Sequence, residues 1–455
     1  MPEGLPLSHA QEALWFLHQL APDSSAHNTG VAVVIRSAID LPALHRATDE
    51  LARRHDLLRS TFAEADGRPV RLVGPDGLAG LEVLDRPGVS DAALRAAVEA
   101  ALAEPFPLRE RGAFRTVLVR RGPQDAVLLI ASHHIASDAT SHLVLLRDLL
   151  RSYEPAAAGG DPTLPPLPGT FDDHVGAERG FLASPRGAET ELHWRRVCAG
   201  AAPAELPADR PRSAGTPFVG DVCRVEVDPE AAARLRAVAA ESGVTEFAYL
   251  LGVFQGLLYR STRQADFLIG CPTTTRLSSK TREVVGNFTN TLVLRANLAR
   301  GSTFRAAAVS AAEQLRAGVA GIRYPFPLLA SRVRLSGGAP LCRLTFNMLN
   351  ATGSDPLLGL LLDTEHEDRV VPNAGLLLSS LPLPQLGGEL DLMVNVRRSA
   401  DALAVEFRYN ANVFERETMR RLAGHFARAI AVAVAGPDSR IATARLWDTA
   451  EPARS

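Results

Sequence analysis

Apolar residues recur at helical intervals in the opening segment LSHAQEALWFLHQL, with Ala10, Leu14, Leu17 and Leu20 along one side. Ser8 and Gln11 stand at capping-box spacing, so a helix is predicted to open there. A β-like run follows at Val31 to Ile35. The next segment, DLPALHRATDELARRH, has Asp40 as N-cap, Pro42 near the start and Leu44, Ala47 and Leu51 on one face. Phe114 to Arg120 and Ala126 to Ser132 read as strands joined by a Gly122-Pro123 turn. Ser141 to Tyr153 then has helical periodicity.

From Glu154 to Gly169 the composition shifts to Ala, Gly and Pro, the strongest candidate boundary in the chain. Beyond it, FDDHVGAERGFL and the segment around Trp194 read as helices. Asp228-Pro229 opens another that stops near Gly243, and Thr245 opens the next. Strands are predicted at Ala265 to Cys271, Thr291 to Ala296, Arg343 to Leu349, Leu390 to Val396 and Leu403 to Tyr409, with helices at Phe304 to Ile322 and Glu415 to Ala433. Both halves are therefore mixed α/β, without a short repeat. The expected divisions are 1–165, 166–440 and a polar tail or linker at 441–455.

At 455 residues and 46% hydrophobic composition the chain can bury a substantial core, which excludes a disordered or fibrous protein. Lys280 is the one lysine among 49 basic residues, and 51 acidic residues bring the net charge to −2. That balance argues against general nucleic-acid binding. Cys198, Cys223, Cys271 and Cys342 are scattered, with no C-x-x-C pair to suggest a disulfide framework or a zinc ribbon. The N-terminus lacks the charged and apolar regions of a signal peptide. The longest apolar runs, such as Leu357 to Leu362, fall far short of a membrane helix. A cytoplasmic protein with no membrane partner is expected.

The chemistry concentrates in ASHHIASDATSHLVLLRDLL. A strand ends in His133 and His134, and Asp138 follows just before a helix. Neighbouring strand side chains point to opposite faces, so one histidine is expected inside and the other exposed at the strand end. A neutral imidazole there can take a proton from an attacking amine or hydroxyl. Asp138 could orient it or fold onto an arginine and hold the loop. Competing readings are a satisfied core histidine, and a metal site, for which the local sequence offers no third ligand. A Ser-His-Asp hydrolase would need a G-x-S-x-G elbow, which the chain lacks.

HHIASDA resembles the HHxxxDG motif of the condensation domains of nonribosomal peptide synthetases, within the chloramphenicol-acetyltransferase superfamily. Further segments match in the family's order: LSHAQEALWFLHQL at 7–20, RRHDLLRSTF at 53–62, FDDHVGAERGFL at 171–182, HWRRVCAGAAPAELPADRPR at 193–212 and VGNFTNTLVLR at 285–295. RYPFPLL at 323–329 and PLCRLTFNMLN at 340–350 match less closely. Together they span nearly the whole chain.

The resemblance implies an α/β fold of two chloramphenicol-acetyltransferase-like lobes arranged as a V. The first lobe carries HHxxxD, the second has crossover elements, and an active-site tunnel runs between them. It implies joining of a donor acyl or peptidyl thioester to the amine of an acceptor aminoacyl thioester, each presented on the phosphopantetheine arm of a carrier protein. No covalently bound cofactor and no metal site is implied, and the protein would act as a monomer. His134 would serve as base or as a partner that orients the amine, with His133 beside it. Asp138 would pair with Arg276 or, as second choice, Arg59. Ala139, Thr140, Ser141, Asn290 and Asn350 would line the substrate path. The backbone N–H groups of residues 139–141, at a helix N-terminus, could face the thioester oxygen. Ala139 departs from the family glycine, which suggests an altered pocket and not lost catalysis. An ester-forming or residue-modifying enzyme is the alternative reading. A catalytically silent carrier-docking domain is another, which the intact motif opposes.

Overall fold

Ser8 caps the first helix from both sides: its hydroxyl accepts from Gln11 N–H, and the Gln11 side chain returns to Ser8 N–H. This computed structural model describes residues 4–75, 80–212, 219–350, 355–362, 369–384, 390–398 and 402–447. The chain opens with β1 (Leu5–Pro6), α1 (His9–Leu20) and β2 (Asn28–Ile35). Asp40 caps α2 (Leu41–Arg54), with Pro42 in its first turn. Between His55 and Phe114 the periodicity is weak. The structure nevertheless builds β3 (Ser60–Ala65), β4 (Arg68–Val73), β5 (Leu81–Asp85) and α3 (Asp91–Ala103) there. The three strands are short, and in the Ala-rich α3 Leu94, Val98 and Leu102 are the buried positions.

A hairpin of β6 (Phe114–Gly122) and β7 (Asp125–His133) leads into α4 (Ala139–Ala157), and α5 (Phe171–Leu182) follows. α4 starts ahead of Ser141 and runs past Tyr153, longer than its periodicity predicts. Asp138 caps its start, and Pro155 sits in the last turn, where its missing N–H costs a single hydrogen bond. The helix then stops in a Schellman motif: Gly160 N–H donates to Pro155 O and Gly159 N–H to Ala156 O. Gly159 takes φ +78°, open to glycine without strain.

The chain continues through α6 (Pro185–Cys198), β8 (Gly220–Glu226), α7 (Pro229–Glu241), α8 (Glu246–Thr262) and β9 (Asp266–Thr274). After a loop come β10 (Thr289–Asn297), α9 (Phe304–Ala320), α10 (Phe326–Arg332) and β11 (Leu344–Asn350). α11 (Pro356–Leu362), β12 (Val371–Asn373) and β13 (Leu376–Ser380) precede β14 (Leu392–Arg398), β15 (Leu403–Asn410) and α12 (Arg416–Ala435).

These elements form two units that interleave along the sequence. The first holds Met1–Phe181, Thr274–Thr289 and Gly353–Gly387, so the chain first leaves it well past the Pro/Gly-rich stretch. Its main sheet runs β12-β13-β2-β7-β6-β5, antiparallel except for the β5–β6 pair, beside a small sheet β1-β4-β3. A continuous apolar core joins Val31 to Ile35 and Val127 to Ala131 of the sheet with Leu145, Leu146 and Leu149 of α4. The second unit has a six-stranded sheet β10-β9-β11-β14-β15-β8, with β11 parallel to both of its neighbours. Phe254 of α8 stacks on Phe346 of β11, and Phe426 of α12 meets both of them and Phe407 of β15 edge-to-face, which forms an aromatic core.

Residues 441–447 of the expected tail belong to that fold. Ile441 and Leu446 are buried, and Arg260 donates to Ile441 O and Ala444 O. Among the described residues no single helix is long and apolar enough to cross a membrane.

Candidate active site

β7 delivers His133 and His134 to the start of a tight turn, and α4 begins at Ala139. The strand register places Asn28 of β2 opposite His133, so His27 lies beside His134 and its carbonyl accepts the His134 N–H at 2.8 Å. The two adjacent imidazoles have different environments. His133 is buried, and its Nδ1 accepts from Ile135 N–H at 3.1 Å, fixing the turn. His18 and His27 pack against its ring at centroid distances of 5.7 and 5.8 Å. The expectation that His133 joins in catalysis therefore gives way to a structural role.

His134 is half-buried. Its Nδ1 lies 2.5 Å from the Ser137 carbonyl, which can only accept, so the proton sits on Nδ1. Nε2 then carries a lone pair, and it has no hydrogen-bond partner among the described residues.

Asp138 folds onto Arg276. Its Oδ1 accepts from Arg276 Nη2 at 2.9 Å and from Ser141 N–H and Oγ–H at 2.7 Å each. Its Oδ2 accepts from Phe288 N–H at 3.2 Å. Arg276 also donates to Thr281 O and Val284 O, and its guanidinium lies 4.0 Å over the Phe288 ring. Side-chain exposures of 6% and 7% make this a buried ion pair. Arg59 stands elsewhere, in the turn before β3, donating to Gly74 O.

Ser141, expected along the substrate path, is buried. Its N–H caps α4 on Asp138, and its hydroxyl is held by Asp138, Arg276 and Gly286, so its polar groups are engaged by protein. Ala139 and Thr140 are exposed in the first turn of α4. Gly286 is required as glycine, because a Cβ there would come within 2.1 Å of the Phe171 ring.

Asn290, in the second unit, is also corrected. Its amide donates to Ile322 O and Tyr324 O and accepts from Phe326 N–H and Thr291 N–H, which occupies the whole group in bracing backbone. The side chain of Asn350 lies outside the described residues.

Periodicity and motif spacing missed four histidines of the first unit. Burial first, then the neighbouring His134 and His18 imidazoles, lower the pKa of His27 to about 4. Burial takes the enclosed His142 to about 4 against the opposing pull of Asp138. Burial likewise lowers His18, and His174 beside the Phe288 ring. Among the described residues no three His, Cys, Asp or Glu side chains converge as metal ligands.

Below the ordinary value of 6.5 the unfolded chain binds protons at His27 and His142 while the folded chain does not. Stability present above pH 6.5 is therefore lost as pH falls toward 4. Denaturant titrations at pH 7.5, 6 and 5 are expected to show midpoints that fall with acidity. Equal midpoints across that range would mean that these histidines titrate normally in the fold.

The same fold occurs in the X-domain of a structure described as the complex of the X-domain and OxyB from teicoplanin biosynthesis (TM-score 0.86, 22% identity, 98% of this chain and 97% of that one). It occurs again in the first condensation domain of the calcium-dependent antibiotic synthetase, solved with a substrate analogue (TM-score 0.78, 21% identity, 97% and 98%). A linear gramicidin synthase of Brevibacillus parabrevis is 31% identical over 98% of this chain, which spans only 9% of that protein's length. The family model for the Condensation domain matches residues 2–454, and the chain belongs to that family of nonribosomal peptide synthetase domains.

Proposed function

We propose that the chain forms an amide between a donor acyl or peptidyl thioester and the amine of an acceptor aminoacyl thioester, each on the phosphopantetheine arm of a carrier protein. The observation that carries this reading is the state of His134: Nδ1–H is committed to Ser137 O, and Nε2 is open at a strand–helix junction. An α-amine with a pKa of about 8 is partly neutral at pH 7, so it needs positioning and one proton acceptor.

As the acceptor nitrogen bonds to the donor carbonyl carbon, its proton passes to His134 Nε2. The C–S bond then breaks, and the imidazolium returns that proton to the leaving thiolate. His134 ends as it began. Asp138 does not enter the proton path, since Arg276, Ser141 and Phe288 N–H occupy its oxygens. The backbone N–H groups of Ala139 and Thr140, in the exposed first turn of α4, are the donors nearest in sequence for the developing oxyanion.

The test loads acyl and aminoacyl thioesters on separate carrier proteins and follows both carriers by mass spectrometry. An amide-linked product on the acceptor carrier is expected. Consumption of a hydroxyacyl acceptor alone would indicate ester formation. Carrier binding without transfer across the panel would overturn the catalytic reading.

Ala139→Leu is expected to exclude a bulky acceptor while a small one is still used, because the added side chain projects from an exposed position beside the motif. Competition between a small and a bulky acceptor on one carrier reads this out. Unchanged preference would place Ala139 away from the substrate.

A further inference from the structure

Behind the His134 turn lies a buried polar chain that the proposed reaction does not use. Ser132 at the end of β7, Ser137 in the turn and His142 in α4 are all buried. Ser132 Oγ is hydrogen-bonded to Ser137 Oγ and lies 2.8 Å from His142 Nε2. The Ser137 carbonyl is the group that accepts the hydrogen bond from His134 Nδ1–H. Hydrogen bonds on either side of Ser137, joined through that residue's own covalent frame, therefore link the His142 ring to the His134 ring.

The protons in this path can be counted. Each hydroxyl has one, and among the described residues Ser132 Oγ is the one acceptor for Ser137 Oγ–H. Ser132 must then send its own proton onward. His142 Nε2 at 2.8 Å is the well-placed acceptor, while Thr29 Oγ1 at 3.4 Å is a poor one. With His142 neutral and Nε2 accepting, every hydroxyl in the chain is satisfied, as buried polar groups need to be.

We propose that His142 is a positioning residue for His134: through Ser132 and Ser137 it fixes the carbonyl that holds His134 in its Nδ1–H tautomer with Nε2 open. The proposal rests on the reading of His134 as proton acceptor for its catalytic meaning, but the tautomer itself can be measured without turnover. Removing the acceptor at His142 strands the Ser132 proton in an apolar interior, and the serines must reorient. The Ser137 peptide then loses the anchor that aims its carbonyl at His134.

The experiment compares His142→Leu, which removes the acceptor, with His142→Gln, whose Oε1 can accept near the position of Nε2. The first readout is ¹⁵N–¹H correlation of the imidazole nitrogens in the substrate-free protein, with the His134 signals assigned by their loss in His134→Gln. The native chain and His142→Gln are expected to show His134 as the Nδ1–H tautomer alone. His142→Leu is expected to show a mixture of tautomers. Turnover of a carrier-bound acyl donor with a glycyl-carrier acceptor should follow, with kcat down about tenfold in His142→Leu, KM unchanged, and most of the rate restored in His142→Gln.

Ser137→Ala cuts the same chain from the other end without touching His142. It should reproduce the mixture of tautomers if His142→Leu fails to fold. A pure Nδ1–H tautomer in whichever of the two folds overturns the proposal. Native turnover by His134→Ala would instead overturn the role of His134 as base and leave the tautomer result to decide the positioning claim.

Discussion

In His134→Ala, amide formation falls by about 10²-fold or more while the thermal midpoint stays close to that of the native chain. The asymmetry follows from what the side chain does. His134 is half-buried and, among the described residues, its side chain hydrogen-bonds only Ser137 O, so its loss removes little packing. It also removes Nε2, the acceptor to which the reaction's proton is assigned. The measurement pairs thermal denaturation with product formation on loaded carriers. Native turnover in a folded His134→Ala protein would move the proton to solvent or to the amine's own equilibrium and leave pure positioning as the source of rate.

Arg276→Met is expected to have the largest effect on stability. The guanidinium is 6% exposed and Asp138 7%, so the substitution leaves a carboxylate buried without its cation. Breaking a buried pair from one side costs about 3–5 kcal/mol. The same change releases the carbonyls of Thr281 and Val284 and the stacking over Phe288. Asp138→Asn should cost less than Arg276→Met. The double variant should be less destabilised than the sum of the two, because the second change removes the charge that the first one stranded. Denaturant unfolding of all four proteins gives the cycle. Strict additivity would show that the two side chains touch without coupling.

How much of this was legible in the sequence depended on range. Ser8 with Gln11 and Asp40 with Pro42 are local signals, and each helix starts where its cap stands. The hairpin of β6 and β7 needs only a turn between two apolar runs. The turn after His134 was legible as a place but not as a geometry. Alternation along the strand separates two adjacent histidines by face, and the structure buries His133 and half-exposes His134.

What alternation cannot give is the partner of each group. Ser132 and His142 come together only because a strand, a turn and a helix fold back over ten residues. Asn290 and Ser141 looked available to substrate because residue type says nothing about whether backbone groups have already claimed an amide or a hydroxyl. β13 becomes a strand by pairing with β2, hundreds of residues away, and β12 by pairing with β13 in turn.

That late pairing bears on how the chain is made. When a ribosome has released residues up to Phe181, β2 has β7 on one side and an open edge on the other. The strand that covers this edge, Leu376–Ser380, is still untranslated, as are Arg276 and Phe288. An unpaired apolar strand edge invites association with other chains, and pairings distant in sequence form slowly. Nascent copies are thus exposed to one another until about residue 380 has emerged. Cutting or grafting the chain at the Pro/Gly-rich stretch would separate the first sheet from its own edge strand and Asp138 from its cation, so moving both interleaved units together is the exchange that keeps the His134 turn intact.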